Sequence, residues 1–388
     1  MTTSPRPPAY DAGGLATVLP STLQALRDGA PGAGSPGDRA PGLHPLPPCR
    51  RAVVVLVDGL GLELLRRRGG HAPFLRSLLP TAVDLTAGFP STTATSMGTF
   101  GTGLPPGSHG LLGYEVRVPG EERLLNELSW EDGPDPLLWQ PSSTVFEQAE
   151  REGVSVTRIG PGFFDGSGLT QAALRGGRFE AAQALPARVD AALAAVRRTP
   201  RALVYLYWGD VDKVGHVHGC ESWQWGDQVE AIDAELARLA RSMPTDTAVV
   251  ITADHGMVDV PSAHRLDVAD APELAAGVSL VGGEPRAPQL YTVPGAAADV
   301  AAAWRERLGG RAWVRLRDEA VAEGWVGSVE PRNLERLGDV VVAMREDYSV
   351  VDSRHHRPEL VALVGVHGSL TPDEVAVPLL SVPARDSA

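Results

Sequence analysis

Val53-Val54-Val55-Leu56-Val57-Asp58-Gly59 sets the architecture of this chain. Five consecutive β-branched or Leu residues with no polar alternation describe a strand buried on both faces, as in a parallel sheet covered by helices. Asp58 follows directly, and the carboxyl end of such a strand is where open α/β sheets collect ligands. Comparable apolar runs recur at 154–159, Ala202–Trp208 and 248–252. Helical patterns lie at 59–68, 187–198 and 223–243, the last with Val229, Ile232, Leu236 and Leu239 at helical spacing. Alternating strands and helices predict an α/β sheet with helices on both faces.

The rhythm breaks between 272 and 351, where a short strand pattern at 289–293 meets an Ala-rich helix at 296–308. This stretch is expected to be an inserted lobe, after which the chain returns to the sheet through 360–366. At the other end, 15–26 holds a short helix with Ser21 as its N-cap. Residues 28–48 are dense in Gly and Pro and read as an irregular arm. The expected division is an N-terminal helix and arm at 1–50 and a catalytic body at 51–388 that carries the lobe. No fixed-period repeat is visible.

With 388 residues, 43% of them hydrophobic, the chain can bury a large core. A net charge of −13 repels nucleic acid polymers and anionic membranes unless a basic patch overrides it. Arg66-Arg67-Arg68 is too short for that and reads as a solvated helix end. The two cysteines, Cys49 and Cys220, are far apart in sequence and read as free thiols of a reducing compartment. No apolar stretch has signal-peptide length near the N-terminus or membrane-spanning length elsewhere. A soluble, cytoplasmic protein is the expectation.

Four expected strand ends deliver polar side chains to one edge of the sheet: Asp58, Asp212, the pair Asp254-His255, and His367. Singly, each has an ordinary reading. Asp58 suits a helix cap, Asp212 and His216 suit a surface pair four residues apart, and His367 suits a satisfied core histidine. Jointly they supply three Asp and three His, beside the hydroxyl-rich segment Phe89-Pro90-Ser91-Thr92-Thr93. That is the ligand set for two divalent ions, which need roughly eight ligand positions between them, plus a nucleophile. A hydroxyl at the start of a helix, expected over 95–100, sits where anionic groups are welcome. His109, in the Gly/Pro-rich segment that follows, is read as bracing a loop.

The order and content of these pieces resemble the alkaline phosphatase superfamily, specifically the type I phosphodiesterase/nucleotide pyrophosphatase family. The resemblance is carried by Asp58-Gly59, Pro90-Ser91-Thr92-Thr93, Asp212-Lys213-Val214-Gly215-His216, Asp254-His255-Gly256-Met257 and His367-Gly368. It implies an alkaline-phosphatase-like three-layer sandwich with a mostly parallel central sheet and a small inserted lobe. It further implies one metal site from Asp58, Thr93, Asp254 and His255, and another from Asp212, His216 and His367, with Thr93 as nucleophile. The family's usual Phe-Pro-Asn after the nucleophile is here Ala94, Thr95 and Ser96, so Ser96 is the candidate substitute contact to substrate.

The implied activity is two-metal phosphoester hydrolysis, most directly of phosphodiesters or nucleotides. Zinc suits mixed Asp/His ligation, with manganese or iron as alternatives. The rival is a phosphomonoesterase or phosphonate hydrolase of the same superfamily. A monoester needs an added cation, and Lys213, the nearest, is expected to face solvent. A small-molecule phosphoester is the expected partner. Trp304, Trp313 and Trp325 in the lobe are expected to fill core rather than stack on a base.

Overall fold

The computed structural model describes residues 5–11, 13–30 and 42–385. Much of the Gly/Pro-rich arm, 31–41, lies outside the described residues. The central sheet has seven strands, in the order Val83–Thr86, Ala376–Val382, Thr247–Thr252, Arg51–Val57, Ala202–Trp208, Ser155–Gly160 and Arg178–Ala181. Neighbours from Thr247–Thr252 to Arg178–Ala181 pair in parallel, while Ala376–Val382 runs antiparallel to both of its neighbours. Arg51–Val57 sits at the centre, with every residue from Ala52 to Val57 buried. Its continuous apolar run is thus explained by helices on both sides of the sheet. Leu185–Arg198 packs against the sheet and against Trp223–Ser242, whereas Val18–Asp28, Thr93–Thr102 and Val145–Arg151 pack together as a separate layer. This is the expected mostly parallel α/β sandwich.

Four local expectations differ from the structure. The segment 360–366 is not a strand of the central sheet. Pro358 opens a one-turn helix, Pro358–Val361, and only Gly365–Val366 is extended, paired antiparallel with Val258–Asp259. A short apolar run cannot be assigned to strand or helix by periodicity, and packing decided this one. Gly365 passes so close to Gly215 that a Cβ there would meet the Gly215 carbonyl oxygen at 2.5 Å. The chain rejoins the sheet later, through Ala376–Val382.

The N-terminal helix starts at Val18 with Thr17 before it, so Ser21 lies inside it rather than at its cap; the Ser21 hydroxyl accepts the His44 N–H instead. Leu15, Val18, Leu19, Leu23 and Leu26 join the main hydrophobic core, so the ordered body begins before residue 51. The helix expected from residue 59 begins at Leu62. Gly59 has φ +73°, and a Cβ there would lie 2.9 Å from Asp212 Cα, so the turn that closes the strand also admits the Asp212 segment.

Between the last parallel strand and the return lies a second, antiparallel sheet in the order Val278–Glu284, Ala287–Thr292, Val340–Met344 and Ala312–Leu316. The helix Ala297–Leu308 covers it, and Trp304, Leu290 and Val342 fill a core of its own. Trp304 is fully buried and donates its indole N–H to the Leu274 carbonyl. Trp325 is fully buried against the main core, edge-on to Phe89, and Trp313 is half-buried against that core. The turn of this sheet carries Arg286, whose guanidinium makes two 2.7 Å bonds to the Glu374 carboxylate with both groups fully buried. Cys49 and Cys220 are buried free thiols. Among the described residues, no helix is long and apolar enough to cross a membrane.

Candidate metal centre

Strand ends build the site. Asp58 leaves Arg51–Val57 with its backbone N–H on the Trp208 carbonyl, which ties it to the end of the next strand. One Asp58 oxygen accepts the Tyr207 hydroxyl. Asp254 leaves Thr247–Thr252; its Oδ1 accepts from the backbone N–H of Gly59 at 3.1 Å and of His255 at 3.0 Å. Asp212 and His216 lie on the helix Asp210–His218, one turn apart, with His216 Nε2 3.2 Å from Asp212 Oδ2. His367 follows Val366, and the segment is clasped to Ser91: Ser91 donates its N–H to the Gly368 carbonyl and its hydroxyl to the Ser369 carbonyl.

Thr93 is the first residue of the helix Thr93–Thr102, two residues earlier than expected. Thr92 before it is extended, at φ −137° and ψ 153°, and its side chain caps nothing. The Thr93 hydroxyl lies 3.3 Å from His255 Nε2. All seven expected residues are brought together. His255 Nε2 stands 3.4 Å from Asp58 Oδ1 and 3.5 Å from Asp254 Oδ2. His367 stacks on His255 with ring centres 3.7 Å apart, and its Nε2 is 3.7 Å from Asp212 Oδ1.

The three imidazoles share one orientation. Nδ1 of His255, His216 and His367 meets the carbonyls of Gly256, Gly365 and Ser91 at 2.9, 2.7 and 2.9 Å. A carbonyl only accepts, so each Nδ1 carries a proton and each Nε2 is left to face the carboxylates. Asp58 Oδ1, Asp212 Oδ1 and Asp254 Oδ2 are buried with no hydrogen-bond partner. Burial, with the nearby Asp254 and Asp212 charges, pushes the Asp58 pKa well up, and burial raises Asp254 also. Burial opposes ionisation of Asp212 too, but His216, His367 and His255 outweigh it and hold its pKa below the usual carboxylate range. Buried carboxylate oxygens without partners, facing imidazole Nε2 atoms, are a donor set that cations complete. Among the described residues, two groups have donor atoms mutually within 4.8 Å: Asp212, His216 and His367, and Asp58, Asp212 and His255. Asp212 belongs to both, although the sequence pattern assigns it to one.

Ser96 is elsewhere. It is fully buried, and its hydroxyl donates to the Asp254 carbonyl at 2.8 Å, so it braces the strand end from behind rather than facing substrate. His109 is buried and braces as expected: its Nδ1 accepts the Leu111 N–H while Nε2 meets the Thr99 hydroxyl.

Two cavities meet at Thr93. One of about 490 Å³ runs past Asp58, Met97 and Tyr205; the other, of about 380 Å³, is bordered by Thr92, His216 and His367. Lys213 is exposed and sits at the rim of both. None of Trp304, Trp313 and Trp325 lines either. Sequence reasoning missed Tyr207, which holds Asp58, and Glu284, whose buried carboxyl borders the second cavity with its pKa pushed up to about 8 by burial. No local pattern marks either, because both are placed by strand pairing.

The fold is of the alkaline-phosphatase-like class. A family profile described as type I phosphodiesterase / nucleotide pyrophosphatase matches residues 52–370. The chain belongs to that family. An uncharacterized pyrophosphatase/phosphodiesterase of Schizosaccharomyces pombe is 26% identical over 216 residues, 53% of this chain and 44% of that protein. The human ectonucleotide pyrophosphatase/phosphodiesterase family member 7 is 26% identical over 218 residues, with the same coverage of each chain. This chain thus aligns with less than half the length of those relatives. Among solved structures, murine ectonucleotide pyrophosphatase/phosphodiesterase 5 superposes with a TM-score of 0.68 at 16% identity, covering 86% of this chain and 88% of that one.

Proposed function

We propose that this protein is a two-metal phosphodiesterase with Thr93 as its nucleophile. The observation that carries the reading is the position of the Thr93 hydroxyl, at a helix N-terminus and 3.3 Å from His255 Nε2, beside three carboxylates that each have a buried oxygen without a partner. Asp58, Asp254, His255 and Thr93 would hold one ion, and Asp212, His216 and His367 the other. The three imidazole nitrogens and the carboxylates favour zinc, with manganese and iron as competitors. Such ions supply Lewis-acid neutralisation of phosphoryl charge and make hydroxyl groups and water stronger nucleophiles near neutral pH.

The residues of the chain divide the remaining work. Thr93 attacks phosphorus in line; the bond from phosphorus to the leaving alcohol breaks as the bond to Thr93 Oγ1 forms. The helix N-terminus at Thr93 turns unpaired backbone N–H groups toward the phosphoryl oxygens. Tyr207 and the Gly59 N–H hold Asp58 and Asp254 in place. Water then cleaves the phosphothreonine, which releases the monoester and restores the hydroxyl.

Two cavities meeting at one nucleophile support a substrate with two organic arms, hence a diester over a monoester. Buried free thiols support a reducing, cytoplasmic setting. Turnover of bis(4-nitrophenyl) phosphate and of a nitrophenyl nucleotide diester, compared with 4-nitrophenyl phosphate on metal-loaded protein, tests the reading. Diesters are expected to be faster; a large monoester advantage overturns it.

A further inference from the structure

The larger cavity contains a charge that the catalytic centre leaves unexplained. Arg158, in the strand Ser155–Gly160, is only 9% exposed, yet it lines the cavity that opens at Asp58 and Thr93. Its Nε and Nη1 are buried with no hydrogen-bond partner, and Nη2 only reaches the Gly177 carbonyl at 3.5 Å. The carboxylates that act on it from a distance, Asp165 and Glu150, are exposed and make no hydrogen bond to it. A guanidinium stays charged, and burying it with two unpaired donor nitrogens is costly. A ligand anion removes that cost.

The walls say what carries the anion. Phe163, Phe164, Phe179 and Leu169 line the same space, and the Arg158 guanidinium lies 5.7 Å from the Phe179 ring centre. Phe163 is 73% exposed, an aromatic surface that a ligand would cover. Strand register gives the scale. Arg158 pairs with Tyr205 and Tyr205 with Val54, four residues before Asp58. The Arg158 backbone therefore lies about 13 Å below Asp58 along the strand direction, at roughly 3.3 Å per residue.

We infer that Arg158 anchors a subsite for one ester arm of the substrate, an arm with an apolar or aromatic body and a terminal oxyanion. This rests on the phosphodiesterase reading and specifies its substrate class. The planar donor fork suits a carboxylate or a phosphate equally.

Three diesters test it on metal-loaded enzyme: 4-nitrophenyl phenyl phosphate, its analogue with a carboxymethyl group on the phenyl ring, and one with a phosphate there. The wild type should favour an anionic arm by about tenfold or more in kcat/KM. Arg158→Met should bring that ratio close to one, and Arg158→Lys should keep part of it; the better of the two anionic arms identifies the oxyanion. No wild-type preference, or one that survives Arg158→Met, overturns the inference. Titration calorimetry with 4-hydroxyphenylacetate gives a readout without turnover: binding to wild type that Arg158→Met loses supports the subsite, and equal or absent binding overturns it. If no diester is hydrolysed, the phosphodiesterase reading fails while the calorimetry still judges Arg158. Removing an unpaired buried charge should leave the melting temperature unchanged or higher. A clear fall would mark a purely structural arginine and overturn the inference.

Discussion

The Thr93 hydroxyl and His255 Nε2 lie 3.3 Å apart, although 162 residues separate them in the chain. One stands at the start of a helix and the other at the end of a central strand, so the contact is a product of sheet topology. Replacing Thr93 by Ala removes the attacking oxygen and should lower kcat by about 10³-fold or more, with metal content retained in part through Asp58, Asp254 and His255. Thr93→Ser keeps the oxygen without the methyl group that restrains it, and should retain measurable turnover. Steady-state kinetics beside metal analysis of each variant checks this; unchanged kcat in Thr93→Ala removes Thr93 from the mechanism.

Asp212 has donor atoms within reach of both candidate groups, so it is the one substitution expected to damage both. Asp212→Asn should lose about one equivalent of metal and weaken the affinity for the second, whereas His216→Gln should affect about one only. Stripping the wild type with a chelator leaves Asp58, Asp212 and Asp254 facing one another and should lower the melting temperature; readdition of zinc at 1,000 times its dissociation constant should restore about 4 kcal/mol. Elemental analysis and thermal unfolding measure both effects.

Arg286 and Glu374 form a buried two-point ion pair that ties the antiparallel sheet to the segment just after His367. Glu374 also accepts the Ser369 N–H. Arg286→Met strands a buried carboxylate and should cost about 3–5 kcal/mol, read as a lower urea midpoint. Arg286→Met with Glu374→Leu should recover much of the loss, because no lone charge remains buried.

His109 is held neutral by burial, its pKa lowered to about 3 from the usual 6.5. Between those values the unfolded chain binds a proton that the folded chain refuses. Its contribution is fully present above pH 6.5 and is lost as pH falls toward 3. His109→Gln can still accept from Leu111 and donate to Thr99, without a titrating group. Urea midpoints at pH 4.5 and 7.5 should therefore differ less in His109→Gln than in the wild type.

The parallel core and the donor set were legible from local pattern. Strands such as Arg51–Val57 and Ala202–Trp208 are buried on both faces, so their apolar runs are continuous, and the groups that end them stand at predictable places. The return strand was not legible. Ala376–Val382 contains Pro378, which argues against an interior strand. Pro378 is tolerated because the strand pairs with Val83–Thr86 over 376–379 and with Thr247–Thr252 only from Leu380 onward.

Sequence by itself determined which chemical groups are present, and that Asp58 and the pair Asp254-His255 follow buried strands, since burial writes its demand into consecutive residues. Tertiary structure alone decided that Asp212 reaches two groups, that Ser96 turns away from the cleft, and that Arg158 lies buried with two donor nitrogens lacking partners. Those facts depend on pairing register and packing between residues far apart in the chain. The energies that set such contacts leave no periodic trace in either partner's own neighbourhood.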